Sequence, residues 1–313
     1  MFAPLVSIVI PVFNGKNFLS DAIDSALAQT YPRCEIIVVN DGSLDGGETE
    51  AIARSYGNRI RYITKSNGGV ASALNVGIDL MQGDYLAWLS HDDVYLPTKV
   101  ESQINFLQSR NLTASDRIFL FSDYNVVNIR KNTLYTFKAD SSLIERFPFY
   151  AVFKHQINGC TTLISRQLLL DAGGFNDLPT SQDYDLWFRL IRLASPLHLP
   201  EVTLLSRHHD AQGFRSDVAR LEACKTFIRL LNDLTKDEIL SCAHSEQAFF
   251  AEIARSFCEI DMRPVHEFAW SRASLVDKYL YKFSSRRLLK LFMYKLGLLS
   301  SYRNFRNTIL GRP

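Results

Sequence analysis

The first hundred residues alternate four times between a short apolar segment and a helical segment. The apolar segments are residues 6–12, 35–40, 60–64 and 85–89. After the first of them, Leu19, Ile23 and Ala26 recur at the spacing of one helix face. Strands that alternate with helices predict a parallel sheet with right-handed crossovers, because the chain must return to the same end of the sheet before each strand. The sequence therefore predicts an α/β fold with a mostly parallel sheet flanked by helices.

Each of these strand segments is followed by polar or glycine-rich residues. Asn14, Asp41, Asn67 and Asp92 follow the four segments in order. The carboxyl ends of parallel strands meet at one edge of the sheet, and ligands of open α/β sheets bind there. No Gly-x-Gly-x-x-Gly follows a strand, and no Gly-Lys-Ser/Thr phosphate loop is present. The pattern predicts a binding site at this edge that is not a Rossmann dinucleotide site.

The fourth strand segment leads directly into a pair of adjacent carboxylates. Residues 85–89 are almost wholly apolar, as expected for a strand covered on both faces, and Asp92 and Asp93 follow. Two neighbouring carboxylates repel each other unless a cation or hydroxyl groups share their charge. A hard divalent cation, held by few carboxylates and by substrate phosphate oxygens, meets that need. An isolated Asp-Asp is more often a solvated turn before a helix, here one whose first residue would be near Pro97.

A second pair of carboxylates opens a helix predicted near residue 182. Asp185 and Arg189 are four residues apart, so an exposed ion pair on the helix explains Asp185. Asp183 has no such local partner. Asp183 is equally well explained as an acid that interacts favourably with the helix dipole and as a functional carboxylate.

Two histidines stand in a dense polar segment, residues 207–213, after an expected edge strand at 197–205. A histidine pair is usually part of a polar surface. His208 or His209 could instead supply a neutral imidazole to a metal, or a cation to a diphosphate.

The composition indicates a globular protein that can bury a sizeable core. Of its 313 residues, 47% are hydrophobic and 22% are charged. The five cysteines include no Cys-x-x-Cys pair, which argues against a disulfide framework or a zinc site and favours a reducing compartment. The N-terminal residues are typical of a strand rather than of a signal peptide, and no apolar run is long enough for a membrane span.

A change of composition predicts a domain boundary near residue 215. Residues 1–215 would form the α/β domain, and residues 216–313 a helical region with helices at 218–231, at 237–260 and from 276 onward. The last 37 residues carry nine basic residues and one acidic residue, a net charge of +8, whereas residues 1–276 carry 26 basic and 32 acidic residues, a net charge of −6. Residues 286–299 form an amphipathic basic helix on a helical wheel. Such a helix binds an anionic membrane surface or packs on the acidic body.

Five motifs in order resemble those of family 2 glycosyltransferases with the GT-A fold. They are V-S-I-V-I-P-V-F-N at 6–14, I-I-V-V-N-D-G-S at 36–43, N-G-G-V-A-S-A-L-N at 67–75, W-L-S-H-D-D at 88–93 and S-Q-D-Y-D-L-W at 181–187. The resemblance covers about residues 5–213 and leaves the basic tail outside. It implies a nucleotide-sugar half at about 1–122 and an acceptor half at about 123–215.

The resemblance also implies a role for each matching residue. Pro11 and Phe13 would flank the nucleobase, and Asp41 would hydrogen-bond to it. Asp92 would contact the ribose, and Asp93 would bind Mg²⁺ or Mn²⁺ at the diphosphate. Asp183 would be the general base, and His209 would complete the metal or diphosphate site, with His208 as its competitor. These roles are carried over onto the positions that match the motifs.

Three departures refine this expectation. Many relatives carry an acid two residues before the Asp-Asp pair, where this chain has Ser90, and a Glu before the base, where it has Gln182. The first weakens the expected metal affinity, and the second leaves Asp183 intact. The Gln-x-x-Arg-Trp motif of processive polysaccharide synthases is missing from the sequence, which favours the transfer of one sugar per encounter.

The expected activity is therefore an inverting, metal-dependent hexosyl- or glycosyltransferase that moves a sugar from a nucleotide-sugar, with a UDP-sugar favoured, to a saccharide or lipid-linked acceptor. This chemistry suits polysaccharide biosynthesis at the cell envelope, from the cytoplasm or the cytoplasmic face of the membrane. A non-catalytic nucleotide- or saccharide-binding protein and a nucleotidyltransferase that makes nucleotide-sugars are the alternatives. Nucleic acid is not an expected partner.

Overall fold

The computed structural model describes residues 3–209 and 217–274. The chain divides into two compact units: Met1–Glu145 with Gln156–Gly213, and Arg146–His155 with Phe214–Pro313. The short segment Arg146–His155 thus belongs to the helical unit. The division of the first unit into nucleotide-sugar and acceptor halves stays a prediction, and the amphipathic basic tail lies outside the described residues.

The first unit is built on one mixed sheet in the order β3-β2-β1-β4-β8-β6-β9-β5, with β7 paired to β6. Its strands are β1 Val6–Val12, β2 Cys34–Asn40, β3 Arg61–Thr64, β4 Tyr85–Trp88, β5 Val94–Tyr95, β6 Phe119–Val127, β7 Thr133–Phe137, β8 Leu163–Ser165 and β9 Leu197–Arg207. The strands β3, β2, β1 and β4 are parallel, and β9 is parallel to β6. The predicted α/β class is confirmed.

The apolar runs of the first strands explain the parallel half of the sheet. Every residue of β1 and β4 is buried, because helices and neighbouring strands cover these strands on all sides. The helices of this unit are α1 Leu19–Leu27, α2 Glu48–Ser55, α3 Gly69–Leu80, α4 Lys99–Ser109, α5 Ser141–Arg146, α7 Arg166–Ala172 and α8 Gln182–Leu193. Helix α4 begins at Lys99, after the N-cap Thr98, so Pro97 precedes the helix instead of starting it.

The prediction of an edge strand at 197–205 was wrong. Strand β9 pairs with β6 on one side and with β5 on the other. Strand β5 has only two residues and follows directly after Asp93. The sequence therefore contained no apolar run from which this strand could have been predicted. Strand β6 continues through the polar residues Ser122 and Asp123, so its second half shows no apolar run in the sequence.

The second unit consists of helices around an aromatic core. They are α6 Pro148–Phe153, α9 Asp217–Asp233, α10 Lys236–Cys242, α11 Glu246–Glu259 and α12 Arg263–Arg272. The rings of Phe153, Phe227, Phe249 and Phe257 contact one another in this core. The helix predicted at 237–260 is two helices, because Ser245 caps a new one by accepting a hydrogen bond from the Ala248 N–H. Among the residues described, no helix has both the length and the apolar character needed to cross a membrane.

Candidate active site

The carboxyl ends of the parallel strands carry most of the predicted site residues. Pro11 lies within β1, opposite Val39 of β2, and is buried. Phe13 follows β1 and is 41% exposed. Asp41 follows β2, and Asp92 lies beyond β4. Because these strands are neighbours and run in one direction, the structure brings the four residues to one edge of the sheet.

The Asp41 carboxylate is held from three directions at this edge. Its Oδ1 accepts a hydrogen bond from Lys65 Nζ at 2.7 Å, and its Oδ2 accepts one from the Gly69 N–H at 2.7 Å. The Gly68 N–H lies 3.0 Å from Oδ1 and 3.2 Å from Oδ2. The carboxylate thus also anchors the N-terminus of α3, where a negative charge is favourable. Its predicted contact with a nucleobase stays a prediction.

The loops after β1 and β2 are tied to each other above the strand ends. Asn14 has a positive φ of 52°, its N–H donates to Ser43 Oγ at 2.9 Å, and its Oδ1 accepts from the Leu44 N–H at 2.7 Å. Leu44 is 83% exposed. The edge next to Phe13 therefore presents apolar surface on a fixed backbone, which is the surface a planar ring would contact.

Asp92 and His209 meet at the end of the sheet. The Nε2 of His209 lies 2.9 Å from Asp92 Oδ2. Their side chains are 14% and 12% exposed, respectively. The two residues come together because β5, which follows Asp93, pairs with Leu204 and Leu205 of β9, just before His209 in the chain. The structure thus brings the imidazole of His209 against the first carboxylate of the acidic pair.

Asp93 is a buried carboxylate, 5% exposed. Its Oδ1 accepts a hydrogen bond from the backbone N–H of Arg207 at 2.8 Å. Burial, followed by the neighbouring charge of Asp92, raises the pKa of Asp93 to about 8, and the hydrogen bonds from Arg207 and Cys160 oppose this rise. The main cause is that burial disfavours the charged form of the carboxyl group, and the negative charge of Asp92 adds to this effect.

Cys160 reaches this acidic pair because of a glycine. A side chain at Gly159 would collide with the ring of Trp88, so only glycine lets the turn approach the end of β4. The Cys160 thiol then lies 3.3 Å from Ser90 Oγ, and its sulfur accepts from the Ser90 N–H at 3.2 Å. Ser90 is the residue that stands in place of the expected further acid, and it holds a thiol instead of adding a charge.

The donor set at this edge suits a hard divalent cation that a substrate helps to bind. Asp92 and Asp93 offer carboxylate oxygens, and His209 offers an imidazole nitrogen. Within residues 3–209 and 217–274, no group of three or more His, Cys, Asp or Glu side chains is arranged so that it could hold a metal ion by itself. Mg²⁺ and Mn²⁺ are commonly held by one or two carboxylates and by substrate phosphates, so the residues present fit such an ion.

Asp183 lies in the first turn of α8 and is half-buried. Its Oδ1 accepts a hydrogen bond from the Tyr184 N–H at 2.9 Å. Burial, and then the charges of Asp183 and Tyr124, raise the pKa of Tyr184. Burial, and then Tyr135 and Asp93, raise that of Tyr124. The negative charges of Asp183 and Asp93 thus disfavour the ionised forms of Tyr184 and Tyr124, respectively.

Asp185 forms the predicted ion pair, but the prediction that this pair is exposed was wrong. Asp185 does pair with Arg189, at 2.9 Å, but its side chain is only 1% exposed. Its Oδ2 also accepts from Asn176 Nδ2 at 2.8 Å, and Arg189 donates to the carbonyls of Ala172 and Gly174. The loop before α8 covers the Asp185–Arg189 ion pair. The i,i+4 spacing of the two residues could not predict this burial, because it depends on the loop.

The same loop is held from the other side by α3. The Asn75 side chain donates to the Phe175 carbonyl at 2.8 Å and accepts from the Phe175 N–H at 2.9 Å, as a neighbouring strand would. The helix start that carries Asp183 is therefore fixed by two side chains, Asn75 and Asp185. Neither was predicted to position the site.

Comparison with known proteins gives one family. The model of glycosyl transferase family 2 matches residues 7–169. An uncharacterized glycosyltransferase of Rickettsia felis is 44% identical over 263 residues, which are 81% of this chain and 42% of that protein. The chain thus spans about two fifths of the length of this relative.

Two solved structures share the fold at low sequence identity. TarS of S. aureus, residues 1–349 in complex with UDP-GlcNAc, matches with a TM-score of 0.63 and 15% identity over 98% of this chain and 92% of that chain. The mannosyltransferase PcManGT of Pyrobaculum calidifontis, in complex with GDP-Man and Mn²⁺, matches with a TM-score of 0.57 and 13% identity over 97% of this chain and 88% of that chain.

Proposed function

Because this chain belongs to glycosyl transferase family 2, we propose that it transfers one sugar per encounter, with inversion, from a nucleotide-sugar to a hydroxyl group of a saccharide or lipid-linked acceptor. A UDP-sugar is the favoured donor. The GT-A fold that this chain shares with the solved structures supports a donor site at the carboxyl ends of β1, β2 and β4, because ligands of such sheets bind there.

The contact of His209 with the Asp92–Asp93 pair is the observation that carries this proposal. The Asp92 carboxylate and the imidazole lie 2.9 Å apart. Burial, followed by the charge of Asp92, raises the pKa of Asp93, and a bound cation would favour the charged form of this carboxyl group. A diphosphate would add further negative charge. A cation held by Asp93 and His209 would offset the negative charge of the diphosphate, and a carboxylate and an imidazole are donors that such a cation accepts.

In this proposal Asp93 and His209 hold Mg²⁺ or Mn²⁺ together with the diphosphate, and Asp92, which contacts His209, contacts the ribose. The bound ion would stabilise the negative charge that develops on the leaving diphosphate. TarS was solved with UDP-GlcNAc, and PcManGT with GDP-Man and Mn²⁺. These ligands of proteins with the same fold support a nucleotide-sugar donor and a divalent cation for this chain.

Asp183 is the proposed general base. The attacking hydroxyl must lose its proton as it bonds to the anomeric carbon, and one carboxylate within hydrogen-bond reach provides for that. Asp183 is held at the start of α8, with the loop before it anchored by Asn75 and Asp185. A base on the face opposite the leaving diphosphate gives a single in-line displacement. The sugar would therefore change its anomeric configuration.

Phe13 and Leu44 are the proposed apolar contacts of the nucleobase, with Asp41 at its hydrogen-bonding edge. Phe13 is 41% and Leu44 is 83% exposed, although buried positions are the rule for such side chains. The acceptor would approach from the side of α8. An envelope saccharide that grows by single additions suits a chain that lacks the motif of processive synthases.

Calorimetric titration of the full chain with UDP, in the presence and absence of Mn²⁺, tests the proposal. GDP and dTDP are the comparators. We expect UDP to bind with Mn²⁺ and to bind at least tenfold more weakly without it, because an ion at Asp93 offsets the diphosphate charge. Replacing Asp93 by alanine should remove the Mn²⁺ dependence.

The matched control is Asp177→Ala, since Asp177 is an exposed loop residue and its loss should leave the titration unchanged. If GDP or dTDP bound more tightly than UDP, the proposed nucleotide site would stand and the donor would be a GDP-sugar or a dTDP-sugar. If a folded wild-type protein bound none of the three nucleotides, the proposed donor class would be wrong.

A further inference from the structure

Arg207, the last residue of β9, makes hydrogen bonds to both members of the acidic pair. Its backbone N–H donates to Asp93 Oδ1 at 2.8 Å, and its side-chain Nε donates to the backbone carbonyl of Asp92 at 2.8 Å. The side chain therefore fixes the peptide that joins the two carboxylates, while the main chain fixes the orientation of one of them. Both hydrogen bonds come from one residue, so its position sets both carboxylates together.

The guanidinium group of Arg207 is itself held in one place. Its side chain is 3% exposed, and its Nη2 lies 2.7 Å from Asp21 Oδ2 on α1. Its Nη1 donates to the Ile129 carbonyl at 3.2 Å. Lys131 pairs with the other oxygen of Asp21 at 3.0 Å. A buried charge is tolerated only when it is paired and hydrogen-bonded, so these partners stabilise a single arrangement of the planar group.

Phe18 extends the same arrangement to the histidine. The guanidinium carbon of Arg207 lies 4.4 Å from the centre of the Phe18 ring. The ring of Phe18 lies 5.0 Å from that of His209, and His209 is the partner of Asp92. Asp21 of helix α1 therefore contacts Arg207, and Phe18, the N-cap residue of this helix, contacts both Arg207 and the imidazole. Asp92 and the two proposed cation ligands, Asp93 and His209, are thus oriented by groups that do not themselves bind the cation.

We propose that Arg207, braced by Asp21, is a positioning residue that holds Asp92, Asp93 and His209 in the arrangement that binds the cation and diphosphate of the donor. This inference rests on the proposed function. The bidentate, planar geometry of arginine is required for it, because Nε and Nη2 must donate in two fixed directions, to the Asp92 carbonyl and to Asp21. Lysine keeps the charge but has no such fork.

The test is the affinity of the full chain for Mn²⁺ in the presence of saturating UDP, measured by calorimetry and by the electron paramagnetic resonance signal of free Mn²⁺. We expect Arg207→Met to weaken Mn²⁺ binding by about 10–100-fold, the usual effect of removing a group that orients metal ligands. Arg207→Lys should give an intermediate loss. Asp21→Asn should also weaken binding, and because Asp21 is partly exposed this variant serves if Arg207→Met does not fold.

Arg189→Met is the matched control. Arg189 also pairs with an aspartate and donates to two carbonyls, but at the start of α8 and not at the acidic pair. It should lower the thermal unfolding midpoint and leave Mn²⁺ affinity unchanged. Wild-type affinity in both Arg207→Lys and Asp21→Asn would overturn the positioning role and leave the proposed function standing. If the wild-type protein bound no Mn²⁺ in the presence of UDP, the positioning role of Arg207 and the proposed function would both be overturned.

Discussion

Replacing Asp183 by asparagine is expected to lower the rate of sugar transfer by about 10²–10⁴-fold while donor binding persists. Asparagine has nearly the same shape and keeps an oxygen that can accept the hydrogen bond from the Tyr184 N–H. It cannot take a proton from the attacking hydroxyl. The loss should therefore appear in kcat, with the affinity for UDP and Mn²⁺ unchanged.

Release of UDP from a panel of UDP-sugars, with the affinity for UDP measured in parallel, checks this expectation. Asp177→Asn is the control, because it makes the same chemical change at an exposed position in the loop before α8, and its activity should match the wild type. Wild-type turnover in Asp183→Asn would remove Asp183 from the role of base. Loss of UDP binding in that variant would show instead that Asp183 acts on the donor.

Replacing Asp185 by asparagine is expected to reduce the free energy of unfolding by roughly 2–4 kcal/mol. The change leaves the Arg189 guanidinium next to a neutral group in a largely buried site, where Asp185 is 1% and Arg189 is 24% exposed. Because the Arg189 side chain remains partly exposed to solvent, we expect a loss of stability near the lower end of the range measured for broken buried ion pairs. Transfer should fall as well, because the start of α8 carries Asp183.

Denaturant unfolding of Asp185→Asn beside Glu50→Gln measures the effect. Glu50 pairs with Arg54 at the same i,i+4 spacing on α2, but both side chains are exposed, at 42% and 64%. An exposed pair of this kind contributes only about 0.3–0.5 kcal/mol. Equal destabilisation by the two substitutions would contradict the account of Asp185 as a buried anchor of the loop.

The sequence predicted the parallel half of the sheet because its signal is local. The runs at 6–12, 35–40 and 85–89 are mostly apolar, and strands of that kind are buried on both faces. The positions of Asp41 and Asp92 at one edge follow from strand direction alone, and the structure places them there. Their assignment to nucleobase and ribose came from the family resemblance and stays a prediction.

The parts that were missed depend on contacts between residues far apart in the chain. Asp123 is buried in β6, where its Oδ1 lies 2.8 Å from His198 Nε2 on β9, so a strand there shows no apolar pattern. Arg207 lay in a segment notable only for its polarity, and its partners Asp21 and Asp92 are distant in sequence. Such a residue is recognisable only after the strands have been paired.

The anomeric configuration of the sugar first released from an α-linked UDP-sugar is the most direct test of the central claim. Water can replace the acceptor, so proton NMR of donor hydrolysis by the full chain with Mn²⁺ needs no knowledge of the natural acceptor. The account predicts UDP together with the β-anomer, formed before the sugar equilibrates in solution, because Asp183 would activate the attacking group on the face opposite the diphosphate. Release of the α-anomer, or no cleavage of any nucleotide-sugar by a folded protein, would contradict inverting transfer from a nucleotide-sugar.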